Sequence, residues 1–200
     1  MLVMKFGGTS VGGPEQIRGV AAIVGGHRAR RPVVVVSAIT KVTDLLLGTA
    51  RAAGAGDRET VRANLRRLNE VHQAAIDGAI EGPEARAEVT RQVAALLAQL
   101  RRACTGIVLL GELSARSLDA IASYGERCAA LIVAGALRDA GPYNWWYRAA
   151  EAESELAAAG FEVQAIGFTP AATGGAMPAT ATEALSGRTD VTLYAACRAA

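Results

Sequence analysis

Residues 2–14 read LVMKFGGTSVGGP, in which an apolar run with one lysine is followed by glycines, two hydroxyl residues and a proline. The run from Leu2 to Phe6 has the composition of a short buried strand, and residues 7–13 have that of a loop. Pro14 suits the first turn of a helix, because the N–H that proline lacks would have no partner there. Apolar residues then recur at helical spacing as far as Val24. The stretch therefore predicts a strand, a glycine loop and a helix, in that order.

A second strand follows in the sequence VVVVS, residues 33–37. Its side chains are β-branched and apolar throughout, which is typical of a strand that is covered on both faces. A strand, a helix and a second strand in succession form a βαβ unit, in which the two strands lie parallel. We therefore expect an α/β fold with a parallel sheet and helices on its faces.

The middle of the chain is helical in character. Two apolar stripes run through residues 58–103, and the sequence EGP at 81–83 separates them. This pattern predicts a helical hairpin inserted between strands of the sheet. Residues 113–141 are again helical, with a break or bend near Gly125.

The last sixty residues give weaker signals. Residues 149–159 are compatible with a short helix, and FEVQAIGF at 161–168 with a strand. Residues 169–190 are rich in Thr, Gly, Ala and Pro and read as a loop. Residues 191–200 predict a helical fragment.

The overall composition excludes several classes of function. The chain has 21 basic and 19 acidic residues, a net charge of +2, so we expect no nucleic-acid partner. No apolar run approaches the roughly 20 residues of a membrane span, and we expect no membrane partner. The N-terminus does not resemble a signal peptide, and the three cysteines lack CxxC spacing, which indicates thiols in the cytoplasm. His27 and His72 lie far apart in the sequence, so we predict no metal site.

The glycine loop at residues 7–13 has two interpretations. A strand that runs through a glycine loop into a helix N-terminus binds anions well, because backbone N–H groups and the helix dipole face the ligand. Lys5 would add a positive charge, and Thr9 and Ser10 would add hydroxyl donors. In the alternative, the loop is only a turn whose glycines supply positive φ. The sequence is neither GxxxxGK[ST] nor GxGxxG, the two best-known phosphate motifs.

Three ordered motifs extend this picture: KFGGTSVGG at 5–13, VVVVSAITKVTDLLL at 33–47 and LDAIASYGERCAALIVAGAL at 118–137. Together they resemble the aspartate kinases of the amino-acid kinase family over about residues 1–140. The resemblance implies a three-layer αβα sandwich with a mostly parallel sheet. It makes residues 1–200 a single, partial amino-acid kinase domain, with most of the adenine and ribose pocket beyond residue 200.

The resemblance also implies roles for the first motif. Lys5, Gly7 and Gly8 would contact the transferring phosphates, and Lys5 would be catalytic because it stabilises charge in the transition state. Thr9 and Ser10 would lie where the phosphates meet the substrate.

In the other two motifs, the resemblance places substrate-binding residues. Ser37 and Thr43 would line the amino-acid pocket, and Glu126 would bind the ammonium group of the substrate. From sequence spacing alone, a surface carboxylate that forms an i,i+4 ion pair is the alternative for Glu126.

The third part of the implied site lies near the C-terminal end. Arg188 would bind the α-carboxylate of the substrate, and Asp190 would be a catalytic aspartate that organises Lys5 and the phosphates. Only Thr189 separates the two residues, whereas the family has a longer, glycine-rich spacing. At about 3.3 Å per extended residue, this difference moves Arg188 by several ångströms relative to Asp190.

The activity that the resemblance implies is ATP-dependent phosphorylation of the β-carboxylate of L-aspartate, the first step toward lysine and threonine. ATP and Mg²⁺ are the implied cofactors. The acceptor carboxylate, with an ordinary pKa of about 3.9, is already ionised at neutral pH and needs no general base. The reaction then depends on positioning and charge neutralisation.

Two other functions stay open. One is a non-catalytic module that binds an amino acid or a partner chain, and the other is a kinase of a different small carboxylate. Apolar surface near Trp145 and Trp146 would need a homo-oligomer or a partner chain to cover it, unless these side chains only fill the core.

Overall fold

The computed structural model describes residues 2–141 in full and the backbone of residues 161–169 and 192–199. Two strands, β1 (Leu2–Phe6) and β2 (Pro32–Val36), precede most of the helical part. The α-helices of residues 2–141 are α1 (Pro14–Gly26), α2 (Val42–Gly54), α3 (Arg58–Ala79), α4 (Pro83–Leu110), α5 (Ala115–Ala122) and α6 (Tyr124–Asp139).

The predicted βαβ unit is confirmed. Strands β1 and β2 are parallel, with Leu2 opposite Pro32 at one end and Phe6 opposite Val36 at the other. The amide of Ser37 donates to the carbonyl oxygen of Phe6 at 3.0 Å, which continues the pairing one step past the strand ends. The loops after both strands therefore leave the sheet at the same edge.

The sheet has one covered face in the described part of the chain. Met4, Phe6, Val34 and Val36 pack against the helical core. Successive side chains of a strand alternate between faces, so the register pair Lys5 and Val35 occupies the opposite face. Val35 is 37% exposed there. The prediction that this strand is covered on both faces therefore stays a prediction, because the described residues leave Val35 partly exposed.

Helices α3 and α4 occupy the stretch predicted as a hairpin, and α4 continues to Leu110, beyond the predicted end at residue 103. It ends where Gly111 adopts a left-handed conformation with φ 67°. The turn between the two helices is bound to the end of α6. The carboxylate of Asp139 accepts hydrogen bonds from the amides of Glu81 at 2.6 Å and Gly82 at 3.0 Å.

The helical stretch that begins at residue 113 is divided, as predicted. Helix α5 ends at Ala122 and α6 begins at Tyr124, so the break lies at Ser123. Gly135 lets α6 pack closely against α4, since a Cβ atom at this position would overlap the side chain of Val89. Small residues at such points let the helices interlock.

Near the C-terminal end, backbone pairing corrects one prediction. Strand β3 (Phe161–Thr169) forms as predicted and pairs antiparallel with β4 (Thr192–Ala199) in a separate sheet. Residues 191–200 were predicted to be helical, and this is wrong, because pairing with β3 supplies the hydrogen bonds that a helix would have made. Tertiary pairing often outweighs the helix propensity of alanine. The first residue of the loop predicted at 169–190, Thr169, is the last residue of β3. The rest of that loop and the predicted helix at 149–159 lie outside the described residues.

The core is built mainly from α-helices, with Ile17, Leu46, Leu68, Leu100 and Ile132 among its fully buried side chains. Two helical stretches, Pro83–Leu110 and Ala115–Asp139, are long and apolar enough to cross a membrane by length and composition. The prediction that no such run exists is therefore wrong by this criterion. Both stretches contribute to the buried core, and core helices commonly meet the same criterion, so this finding is weak evidence for a span.

Candidate functional site

The loop after β1 is a single turn of 3-10 helix, Gly8–Val11. The amide of Ser10 donates to the carbonyl oxygen of Gly7 at 2.9 Å and closes the turn. Val11 is fully buried and anchors the loop in the core, whereas Thr9 and Ser10 are exposed. The two hydroxyls predicted to face the ligand are therefore accessible at the edge of the sheet.

A second loop leaves little room for a side chain at two glycines of this loop. A Cβ atom at Gly8 would lie 3.3 Å from the carbonyl oxygen of Ala38, and one at Gly12 would lie 2.8 Å from Oγ1 of Thr40. Positive φ occurs at neither position, nor at Gly7 or Gly13. The interpretation of this loop as a turn whose glycines only supply positive φ is therefore wrong.

The second loop follows β2 and is joined directly to the first. The hydroxyl of Thr40 donates to the carbonyl oxygen of Gly8 at 2.9 Å. Lys41 adopts a left-handed conformation with φ 68° just before α2 begins. This conformation is uncommon for a residue with a side chain. The chain reverses sharply here, and α2 starts beside the glycine loop.

Helix α6 completes the convergence of the three motifs. A Cβ atom at Gly125 would lie 2.8 Å from Cβ of Ala38 and 3.3 Å from Cγ1 of Val42. The start of α6 therefore packs directly on the loop after β2. Because Gly8 lies close to the carbonyl oxygen of Ala38, Ala38 is the point at which the three sequence motifs meet.

Helix α1 begins directly after the glycine loop and is held by α3. A Cβ atom at Gly78 would lie 2.6 Å from Cβ of Pro14, and the guanidinium of Arg18 donates to the carbonyl oxygen of Gly78. The amide of Ile17 is the first in the helix to donate within it, to Gly13 at 3.0 Å. The preceding amides and the helix dipole make this end of α1 electropositive.

Lys5 lies within β1 and is exposed. Its strand position places it on the sheet face opposite Met4 and Phe6, next to Val35 in the register of the two strands. Its charge is therefore outside the helical core and two residues before Gly7, the first residue of the glycine loop.

Glu126 is exposed in the first turn of α6, one residue after the glycine that contacts Ala38. The positions four residues away on either side, Ala122 and Ala130, carry no charge. The described ion pairs join Arg67 to Glu70 and Arg91 to Glu88, and do not include Glu126. The alternative of an i,i+4 ion pair is therefore wrong, and this carboxylate is available to a cationic ligand.

The remaining predicted residues divide into two groups. Ser37 and Thr43 are partly buried and flank the loop that carries Ala38, so they lie at the convergence. Arg188 and Asp190 lie outside the described residues, as do Trp145 and Trp146.

Sequence reasoning missed Thr40 and the close packing at Gly125. The available signal for Thr40 was topological, because loops that follow parallel neighbouring strands leave the sheet at one edge. A hydroxyl in the second loop can then bind the backbone of the first.

The sequence model of the amino acid kinase family matches residues 1–199. The chain belongs to this family. Curated relatives agree: a chloroplastic bifunctional aspartokinase/homoserine dehydrogenase 2 from Zea mays is 31% identical over 144 residues, which is 72% of this chain and 16% of that protein. The chloroplastic aspartokinase 3 from Arabidopsis thaliana is 33% identical over 128 residues, 62% of this chain and 21% of that protein. The resemblance to aspartate kinases is thereby confirmed, and the chain spans less than a quarter of the length of these two relatives.

Solved structures show the same fold. The chain is similar to E. coli aspartokinase III in complex with aspartate and ADP, with a TM-score of 0.61 and 22% identity over 74% of this chain and 31% of that chain. The form of that enzyme in complex with lysine and aspartate gives a TM-score of 0.58 at 23% identity, over 70% of this chain and 29% of that chain. These similarities confirm an amino-acid-kinase fold. The complete three-layer sandwich and the assignment of residues 1–200 to one domain stay predictions.

Proposed function

We propose that this chain forms the phosphate-binding and aspartate-binding part of an aspartate kinase, which transfers the γ-phosphoryl group of ATP to the β-carboxylate of L-aspartate. The observation that carries the proposal is the meeting of three motifs at Ala38. It brings the glycine loop, the loop after β2 and the start of α6 to one edge of the sheet. The aspartokinase relatives favour this activity over other reactions of the family.

The glycine loop and Lys5 are the proposed phosphate end of the site. Gly7 and Gly8 let the backbone approach a phosphate group, and the exposed hydroxyls of Thr9 and Ser10 can donate to its oxygens. Lys5 would neutralise charge as it moves from the γ-phosphoryl group to the leaving ADP. In phosphoryl transfer, catalysis consists mainly of this kind of positioning and electrostatic stabilisation.

Glu126 is the proposed ligand of the substrate ammonium group. It lies in the first turn of α6, next to Gly125, which packs on the loop that Ser37 and Thr43 flank. Arg188, the proposed ligand of the α-carboxylate, would fix the other end of the amino acid. The β-carboxylate is then directed toward the glycine loop, and, being ionised, it can attack phosphorus without a general base.

Magnesium and Asp190 complete the proposal. Mg²⁺ prefers oxygen ligands and is usually held by phosphates together with one or two carboxylates, so it would arrive with ATP. Thr9 and Ser10 provide suitable oxygens beside the phosphate end, and Asp190 is proposed to organise Lys5 and the phosphates. The ion would neutralise charge on the phosphates.

Cytoplasmic location, a role in lysine and threonine biosynthesis, and coverage of apolar surface by a second copy or a partner chain also belong to the proposal. Cys104 and Cys128 are free thiols, which supports a reducing compartment. The exposed Val35 on the open sheet face supports a covering partner.

A non-catalytic module that binds an amino acid is the second candidate. The observation that favours it is the short spacing between Arg188 and Asp190, which only Thr189 separates.

Turnover of ATP with added substrate separates the two candidates. The chain is incubated with Mg-ATP and either L-aspartate or L-glutamate, and ADP release is measured. We expect aspartate-dependent turnover, and a loss of about a hundredfold or more in Lys5→Ala, since a transition-state charge interaction is removed. Arg62→Ala is the matched control, because it also removes one exposed positive charge, from α3. We expect its turnover to be unchanged.

Turnover that is absent with aspartate would contradict catalysis by this chain. Aspartate binding without turnover supports the module instead. Equal turnover with glutamate would contradict the assigned substrate.

A further inference from the structure

We propose that Thr40 is a positioning residue for phosphate binding, because its hydroxyl fixes the direction of the Gly8–Thr9 peptide in the glycine loop. The proposal rests on the function proposed above. It adds a residue that belongs to neither the phosphate-binding nor the substrate-binding set.

The contact that supports this role joins two loops that are distant in sequence. Oγ1 of Thr40 donates to the carbonyl oxygen of Gly8 at 2.9 Å. Thr40 is exposed, so its side chain is not needed to fill the core. Its described polar contact is with the backbone of the loop that would carry the phosphates.

The hydroxyl of Thr40 is also confined on its other side. A Cβ atom at Gly12 would lie 2.8 Å from Oγ1 of Thr40, closer than such contacts normally occur. The absence of a Cβ atom at Gly12 therefore provides the space that the hydroxyl of Thr40 occupies. Thr40 consequently bonds to the start of the 3-10 turn and lies close to the glycine that follows its end.

The direction of two amides follows from the hydrogen bonds of the loop. In a trans peptide, the carbonyl and the N–H point in opposite directions. The carbonyl of Gly7 accepts from the amide of Ser10, and the carbonyl of Gly8 accepts from Thr40. The amides of Gly8 and Thr9 therefore point away from these donors.

The same two amides have no acceptor within the described backbone. They are also the first two of the 3-10 turn, whose geometry gives them no partner inside the turn. They are thus free to donate to an oxygen of a bound phosphate group. Such amides bind anions best when their direction is fixed before the ligand arrives.

Loss of the Thr40 hydroxyl would weaken the hold on only one of the two peptides. The carbonyl oxygen of Gly8 would keep only the in-turn bond from the amide of Val11, and glycine at position 8 has little intrinsic preference for one backbone conformation, so the Gly8–Thr9 peptide could rotate more freely. The Gly7–Gly8 peptide would stay fixed by Ser10. We therefore expect weaker nucleotide binding, while binding of the amino acid at the Glu126 side is retained.

The test compares Thr40→Val, which keeps the shape but removes the hydroxyl, with Thr40→Ser, which keeps the hydroxyl. Calorimetry measures the dissociation constants of Mg-ADP and of L-aspartate for the wild-type chain and both variants. We expect Thr40→Val to bind Mg-ADP about five- to tenfold more weakly, in line with the loss of one hydrogen bond. Its affinity for L-aspartate should stay within about twofold, and Thr40→Ser should restore Mg-ADP affinity.

Thermal unfolding of every variant checks that the fold is retained.

Each unfavourable outcome has a distinct meaning. Unchanged Mg-ADP affinity in Thr40→Val would overturn the role of Thr40 and leave the proposed function standing. Equal weakening of both ligands, or no recovery in Thr40→Ser, would show a merely structural role and also overturn it. No Mg-ADP binding by the wild-type chain would overturn the proposed function and this role together.

Discussion

The two ends of α6 lie in very different surroundings. At its start, Gly125 packs on Ala38, and the neighbouring loops carry the exposed side chains of Thr9 and Thr40. At its end, the helix is interlocked with α4 through Gly135, and Asp139 binds the turn between α3 and α4. We call the first region the site end and the second the hairpin end.

The two ends of α6 serve different purposes: the hairpin end stabilises the fold, and the site end presents groups for ligand binding. At the hairpin end, buried side chains and hydrogen-bonded backbone groups hold the helices together. Local opening of such a region costs a large free energy. At the site end, exposed polar groups are held by close backbone contacts and single hydrogen bonds. Substitutions at the hairpin end should therefore affect stability, and those at the site end should affect ligand binding.

Among the substitutions considered, adding a methyl group at Gly135 should destabilise the hairpin end most. A Cβ atom there would overlap Val89 and lie 2.9 Å from Cδ1 of Ile80. We expect Gly135→Ala to lower the free energy of unfolding by about 1–3 kcal/mol, as overpacking does, despite the better helix propensity of alanine.

Gly106→Ala in α4 is the matched control, because a Cβ atom added at Gly106 would have no neighbouring atom within 4 Å. It should raise the free energy of unfolding by up to about 1 kcal/mol. Urea denaturation measures both variants. Similar effects of the two substitutions would contradict the close packing of α4 on α6.

Buried His72 makes the helical part sensitive to acid. Its Nδ1 lies 2.6 Å from the carbonyl oxygen of Leu68 and donates to it, while its buried Nε2 has no hydrogen-bond partner among the described residues. Burial lowers the pKa of His72 below its ordinary value of 6.5, and the bond to Leu68 opposes this only in part.

The unfolded chain therefore binds a proton at His72 more readily than the folded chain does. The stabilisation of the folded chain that depends on neutral His72 is fully present above about pH 6.5. It is lost as the pH falls from there toward the lower pKa of His72 in the folded state. The slope should reach at most about 1.4 kcal/mol per pH unit. Urea denaturation between pH 7 and 5, roughly the range in which histidine titrates, measures it.

His72→Gln cannot titrate and should flatten this pH dependence. His27→Gln removes an exposed histidine and should leave the slope of the wild-type chain. A slope that persists in His72→Gln would show that other groups cause it.

The smallest expected effect concerns the backbone of Lys41, which lies at the site end. Lys41 has φ 68°, which costs a residue with a Cβ atom about 1 kcal/mol relative to glycine. Lys41→Gly should therefore raise the melting temperature by about 2–4 °C. Lys41→Ala keeps the Cβ atom and should give no such gain, so an equal rise in both variants would contradict the explanation.

Local patterns in the sequence predicted much of the fold. Proline and glycine around residues 7–14 marked the strand, loop and helix, and the run of valines marked β2. The break between α5 and α6 and the hairpin also followed from periodicity. These features depend on contacts between residues that are close in sequence, which is why they could be predicted.

Features that depend on distant contacts were not predictable in this way. Nothing local in VVVV shows that Val35 is more exposed than Val34 and Val36, which pack against the core. Residues 192–199 are rich in alanine, and only pairing with β3 makes them a strand. The candidate site shows the same division, since Lys5 and Glu126 were named from motifs, whereas Thr40 required knowledge of which loops are adjacent.

A single binding experiment tests the central claim, that the glycine loop and the start of α6 form the two halves of one site. Calorimetry measures Mg-ADP and L-aspartate binding to the wild-type chain, Lys5→Ala and Glu126→Gln. The account predicts that Lys5→Ala weakens Mg-ADP binding at least about tenfold and spares L-aspartate, and that Glu126→Gln does the reverse, as expected for loss of a charged partner. Retention of L-aspartate binding at wild-type affinity in Glu126→Gln would contradict it.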